Sequence, residues 1–311
     1  MLVVSKAKLA LALGTLTFLN GWAVPLVGTA HVSSPQRVEA YDRSVRPVRF
    51  RDEGAGLVVN GWVNGAGPFA FAIDTGADVC IVSSRVAQNA GLTISKSKRP
   101  IVGGLSNAPI SANQEAIASE LSIGTRDNAV PERPILAVVP TLPGGIDGVL
   151  NPRDLFGSLA YSIDLPNRQL LAFDSKTNGL DLAHAPRDGA VVRWIKVAGS
   201  DRPFVRLGDG RLALVDTGSG FGLAVRETTS TNGRNHSRRT SDLGGGNVQS
   251  GELGPTTVSI GAMVLENIPT QLLIGVPTST PVILGRRALR PFKITFDPVA
   301  HLIAIEPVAG R

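Results

Sequence analysis

The sequence predicts an all-β protein built from two homologous lobes, with its working residues where the lobes meet. Three observations carry this. The tripeptide Asp-Thr-Gly occurs twice, beginning at Asp74 and at Asp216, and each copy ends an apolar run. Further landmarks follow each copy in the same order. The composition agrees: 35 glycines and 21 prolines in 311 residues cut the 43% hydrophobic content into short runs. That pattern suits a turn-rich sheet protein and excludes a coiled coil or a disordered chain. The length allows two domains and a large core.

Residues 1–30 open with Lys6 and Lys8 and continue without charge from Leu9 to Ala30, the order of a secretory signal. Gly28, Thr29 and Ala30 supply small residues for cleavage before His31, with Ala23 as a second candidate. The rival reading is an uncleaved membrane anchor, since the uncharged stretch has the length of a span, although Asn20, Gly21 and Pro25 weaken it. Both readings export the rest of the chain. Residues 31–47 show little periodicity and read as a leader arm. Residues 48–175 form the first lobe, 176–190 a polar linker and 191–308 the second lobe.

Within the first lobe, the turn signal Asn64-Gly65 precedes the run Phe69 to Ile73 that leads into Asp74-Thr75-Gly76-Ala77. In the second, Asp209-Gly210 precedes Leu212 to Val215 and then Asp216-Thr217-Gly218-Ser219. Each reads as a hairpin feeding the strand that carries the aspartate. Downstream, Val102-Gly103-Gly104 answers Leu243-Gly244-Gly245, and Leu121-Ser122-Ile123-Gly124 answers Val258-Ser259-Ile260-Gly261. Val149-Leu150-Asn151 answers Ile283-Leu284-Gly285. Each half closes on a strand pair, Tyr161–Leu165 with Leu170–Phe173 and Ile294–Phe296 with Leu302–Ile305. The basic stretch from Arg226 to Asp242 lacks apolar spacing and reads as a solvated loop.

A single cysteine, Cys80, rules out a disulfide framework and a thiolate zinc site within the chain. The histidines, His31, His184, His236 and His301, show no metal-ligand spacing. The net charge of +6, from 31 basic and 25 acidic residues, becomes +4 without Lys6 and Lys8. So modest a surplus does not describe a nucleic-acid binder. One Asp-Thr-Gly alone could merely close a strand-end turn. Two copies in matching halves place Asp74 and Asp216 together at a pseudo-twofold interface. A carboxyl pair there could activate water, serve a glycosidase at wider separation, or survive in a binding module without turnover. The low aromatic content, 5% of residues, offers little for a sugar platform.

The run from Asn64 through Phe69 into Asp74-Thr75-Gly76-Ala77, with Val282-Ile283-Leu284-Gly285 closing the second lobe, resembles the retropepsin-type aspartic proteases. It is closest to exported bacterial forms with both halves in one chain. The resemblance covers residues 47–308 and implies an acid protease fold, a peptide or protein substrate, no cofactor or metal, and a monomer. It implies Asp74 and Asp216 as a catalytic dyad activating a water, supported by Thr75, Gly76, Ala77, Thr217, Gly218 and Ser219. Gly103, Gly104 and Leu105, and Gly244, Gly245 and Gly246, fall where the family carries flap hairpins. Two close carboxyls share one proton in such dyads. Ser219 offers Asp216 a hydroxyl that Ala77 cannot offer Asp74, which points to Asp74 as the proton holder. Asn151 departs from the glycine of the pattern but tolerates left-handed backbone.

Overall fold

The computed structural model describes residues 45–54, 56–101, 105, 112–227, 238–241 and 247–308. The signal or anchor segment and most of the leader arm lie outside these residues. The described chain is mostly β-sheet, and its two halves repeat one wiring around a common axis sheet.

In the first half, Gly56–Val63 and Ala66–Ile73 pair antiparallel through the Asn64-Gly65 turn. Both turn residues have positive φ, 49° and 76°, which is the hairpin geometry that Asn-Gly favours. Gly148–Leu150 then inserts parallel to Ala66–Ile73 and antiparallel to Cys80–Ser83, and Cys80–Ser83 runs parallel to Ile135–Val139. The second half does the same with different residues. Ser200–Arg206 pairs with Leu212–Asp216, and Val282–Gly285 inserts parallel to Leu212–Asp216 and antiparallel to Leu223–Arg226. Leu223–Arg226 in turn runs parallel to Met263–Ile274. The inserted strands are short and buried on both faces, so Val149, Leu150, Ile283 and Leu284 are all fully enclosed. That burial explains why they read as continuous apolar runs without alternation.

The two halves join edge to edge in a six-stranded sheet. Ala160–Asp164 of the first lobe pairs antiparallel with Phe292–Asp297 of the second, in the register Tyr161 to Phe296 and Ile163 to Ile294. The Tyr161 and Phe296 rings stack at 4.9 Å. Trp194 meets Phe296 edge-on at 6.1 Å and donates its indole N–H to the Arg202 carbonyl at 2.9 Å. Buried aromatics of this size dominate the packing of such a seam.

One boundary differs from the sequence reading. Val45–Arg49 is a strand on the edge of the six-stranded sheet, paired with Gln169–Phe173, so the leader arm ends before residue 45 rather than at 47. Val45 and Val48 are the buried positions. Pro47 and two arginines break the alternation that would have shown this strand.

Candidate active site

Asp74 and Asp216 stand at equivalent ends of Ala66–Ile73 and Leu212–Asp216, and the sheet wiring brings them face to face. The Asp216 carboxyl lies against Gly76 and the Asp74 carboxyl against Gly218, close enough that each carboxyl alters the other's proton affinity. The glycines explain how two loops approach so closely. A Cβ on Gly76 would lie 2.5 Å from the Asp216 carboxyl carbon, and one on Gly218 would overlap the Asp74 carboxyl. Backbone φ is ordinary at both positions, so close approach is the requirement that selects glycine there.

Beneath the carboxyls the two threonines cross-link the loops. Thr75 donates its hydroxyl to the Val215 carbonyl at 2.7 Å and accepts from the Thr217 N–H at 3.0 Å. Thr217 donates to the Ile73 carbonyl at 3.3 Å and accepts from the Thr75 N–H at 3.1 Å. All four bonds run between lobes and both side chains are buried. The hydroxyl is needed because each threonine must donate and accept at once.

Asp74 accepts the Gly76 N–H at 2.7 Å. Asp216 accepts the Ser219 N–H at 2.9 Å. The Ala77 and Gly218 N–H groups near Asp74, and the Gly218 N–H near Asp216, favour the ionised forms. Loss of water raises the proton affinity of Asp74. It raises that of Asp216 much further, and the Asp74 charge adds to the effect. Both shifts point the same way, so the pair holds a proton more tightly than a free carboxyl does. The Ser219 oxygen accepts the Phe221 N–H at 3.3 Å, and the bond this residue gives Asp216 comes from its backbone N–H. Because the protons belong to a coupled pair, titration reports two values for the dyad and none for either residue alone.

The loop behind each aspartate is held by the strand that inserts beside it, with different chemistry in each lobe. In the second lobe the Arg286 N–H donates to the Ser219 carbonyl at 2.9 Å. In the first lobe the equivalent position is Pro152, which has no N–H. The Asn151 amide substitutes by donating to the Ala77 carbonyl at 2.7 Å, while its oxygen caps the following helix on the Arg153 N–H at 2.9 Å. Asn151 is extended, at φ −82°, so left-handed tolerance is not why asparagine works there. Gly285 is also unstrained, and a Cβ on it would lie 2.5 Å from the Phe221 carbonyl.

Of the flap glycines, Gly103, Gly104, Gly244, Gly245 and Gly246 lie outside the described residues. The stems on either side are antiparallel pairs in both lobes, Ser95–Ile101 with Ala112–Ile117 and Arg238–Ser241 with Asn247–Ile260. Leu105, from the first of these loops, packs against the second-lobe cluster formed by Ala224, Val248, Leu273 and Ile283. Cys80 is fully buried, and burial pushes its thiol far above the ordinary range, which makes it inert packing.

Asp78, beyond the first Asp-Thr-Gly, accepts from the Ser200 hydroxyl at 2.9 Å and faces Arg202 at 3.2 Å. Arg153 reaches Asp201 at 3.0 Å across the same seam. Asp154 lies among them, pushed up to about 6 by burial, against the pull of Arg153 and with Asp201 and Asp78 adding to the rise. The folded chain thus holds the Asp154 proton more tightly than the unfolded chain does. Stability from this group is present below the unfolded value near 4 and is lost as pH rises through about 6. Asp154→Asn is expected to be more stable than wild type by about 1–2 kcal/mol at pH 7, after discounting for partial exposure, and equal to it near pH 4. Thermal melts of both proteins across that range check this.

Comparison with known proteins places these features in context. The family model described as aspartyl protease matches residues 59–151, the stretch that contains Asp74 and ends at Asn151. No curated protein sequence matches the chain significantly. Among solved structures, an aspartic proteinase from Irpex lacteus is similar with a TM-score of 0.55 at 12% identity, over 85% of this chain and 97% of that one. At that identity the likeness speaks for the fold. The family match thus covers part of the first lobe, and the likeness to the aspartic proteinase shows that the two lobes together have the acid protease fold.

Proposed function

We propose that the chain is an exported aspartic endopeptidase that hydrolyses peptide bonds with a water held between Asp74 and Asp216. The observation that carries the reading is a pair of carboxyls, Asp74 buried and Asp216 half-buried, presented face to face by equivalent loops of the two lobes, each against the other loop's glycine. The ionised member of the dyad takes a proton from the water as the water oxygen attacks the scissile carbonyl, and the protonated member donates to the carbonyl oxygen. The resulting tetrahedral diol collapses: the C–N bond breaks, the amine leaves with the proton taken from the water, and the carboxylate that had donated takes a proton from a diol hydroxyl as the new carboxyl group forms, which returns the dyad to its singly protonated form. No covalent intermediate forms. The Thr75 and Thr217 cross-links hold the geometry that makes attack productive.

Export rests on Lys6, Lys8 and the uncharged stretch behind them. Since one chain supplies both aspartates, a monomer suffices for the site. The loops carrying Gly103, Gly104 and Leu105 and Gly244 to Gly246 are the proposed flaps, and the reach of Leu105 to the second lobe supports the first.

The test is digestion of a denatured protein by the purified mature chain in ¹⁸O-water with hydroxylamine present, read by mass spectrometry. Expected are new C-termini carrying one heavy oxygen and no hydroxamate. Hydroxamate products would point to an acyl-enzyme and overturn the mechanism. No cleavage by folded protein at any pH from about 3 to about 8 would leave a peptide-binding module.

A further inference from the structure

Beneath the dyad, in the second lobe only, lies a buried guanidinium. Arg286 follows Gly285 in the chain, and only 8% of its surface is exposed. Its side chain leaves its own lobe. Nη1 donates to the Thr217 carbonyl at a long 3.4 Å, Nη2 to the Glu53 carbonyl at 3.3 Å, and Nε faces Asp52 at 3.6 Å. Glu53 and Asp52 belong to the first lobe, so this one side chain touches the Asp216 loop and the opposite lobe together. Gly56 leaves it room: a Cβ there would sit 3.2 Å from Nη1.

The charge is as informative as the contacts. A buried arginine stays charged but loses its hydration, so it must find compensating anions. Its own proton affinity is lowered by burial and supported by Asp52, Asp216 and Asp74, in that order. The charged groups facing it are few. Asp52 is shared with Arg290 at 3.7 Å, so two guanidiniums meet one carboxylate there. Glu53 directs its carboxylate to Arg51 at 2.7 Å. On the neighbouring strands Lys293 pairs with Glu306 at 3.5 Å, and Glu266 is exposed. One positive charge is left over, and one ionised member of the dyad balances it. A fully protonated dyad would leave the guanidinium short of an anion, and a doubly ionised one would exceed it. The first lobe has uncharged Pro152 at the equivalent place, so the field is one-sided.

We infer that Arg286 is a positioning residue that sets the charge state of the dyad, holding it at one negative charge by a fixed, buried positive charge and tying the Thr217 loop to the opposite lobe. This rests on the dyad being catalytic, and Coulomb attraction is reciprocal: what Asp216 and Asp74 do for Arg286, it does for them. It favours their ionised form, so it extends activity toward acid.

The experiment compares wild type with Arg286→Met, Arg286→Lys and Asp52→Asn. The readouts are the pH profile of kcat/KM on a peptide and the carboxyl NMR titration of ¹³C-aspartate-labelled protein. Arg286→Met is expected to move the acid limb, and the lower dyad titration, up by about one pH unit. Arg286→Lys restores both, and Asp52→Asn, by freeing the guanidinium from its counterion, moves both down. Folded Met and Asn variants with unshifted limbs and titrations, and only lowered melting temperatures, would reduce Arg286 to a structural staple and overturn the inference. If the Met variant does not fold, Asp52→Asn decides it: a downward shift of limb and titration upholds the inference, and unshifted values overturn it. The NMR titration needs no turnover: carboxyl shifts without any peptide cleavage would uphold Arg286 while removing the protease reading.

Discussion

Thr75→Val and Thr217→Val are each expected to destabilise the protein by about 2–4 kcal/mol, and the double variant to lose less than the sum. Valine keeps the shape of threonine, so the loss isolates the hydroxyl. Each hydroxyl makes two buried bonds across the lobe interface, and its removal orphans a carbonyl and an N–H that no water can reach. The two substitutions strand different groups, the Val215 carbonyl and Thr217 N–H in one case and the Ile73 carbonyl and Thr75 N–H in the other, and the coupling arises because both sets of bonds hold the same two loops, so the first loss already loosens what the second would hold. Denaturant unfolding of the four proteins measures the cycle. Thr→Ser at either site keeps the bonds and should lose well under half as much. Activity should fall further than stability, since the dyad spacing depends on the same four bonds.

Asp216→Asn is expected to abolish activity while raising stability at neutral pH by on the order of 1 kcal/mol. Both dyad carboxyls hold protons more tightly folded than unfolded. Their contribution is therefore favourable in acid and lost as pH rises through the folded values, leaving at pH 7 the cost of keeping in the dyad a proton that the unfolded chain has released. An amide at 216 removes that burden and keeps a donor toward Asp74. The wild-type melting temperature should rise as pH is lowered from 7 toward 5, and the variant's curve should be flatter, with Asp154→Asn as background to separate the Asp154 contribution. A variant that is both inactive and less stable at pH 7 would mean that the pair is held without electrostatic cost.

Much of this was legible in the sequence because the informative features are local and repeated. Asp-Thr-Gly at the end of an apolar strand, a two-residue turn before it and an apolar strand inserting beside it are each short patterns, and their recurrence fixes the topology of both lobes. What escaped notice depends on pairs far apart in the chain. Arg286 sits beside a landmark, Leu284-Gly285, yet its meaning comes from Asp52 and Glu53 in the other lobe. An arginine there reads as an exposed helix start until the packing shows it buried. The partners of Ser219 depend on the turn that follows it: its backbone N–H goes to Asp216 and its oxygen accepts from the Phe221 N–H. Asn151 was misread because its amide compensates for the N–H that Pro152 lacks, which only the comparison with Arg286 in the second lobe exposes. The edge strand Val45–Arg49 has two inward residues and a proline, too little alternation to distinguish from coil.

The claim on which the rest depends is that Asp74 and Asp216 act as one catalytic unit. Its most direct test is peptide cleavage by wild type, Asp74→Asn, Asp216→Asn and the double variant, each shown to be folded. One unit predicts that either single substitution lowers kcat/KM by about 10⁴-fold or more and that the double variant is scarcely worse, since groups acting together are lost together. A single variant that keeps substantial activity, or losses that multiply in the double variant, would contradict it.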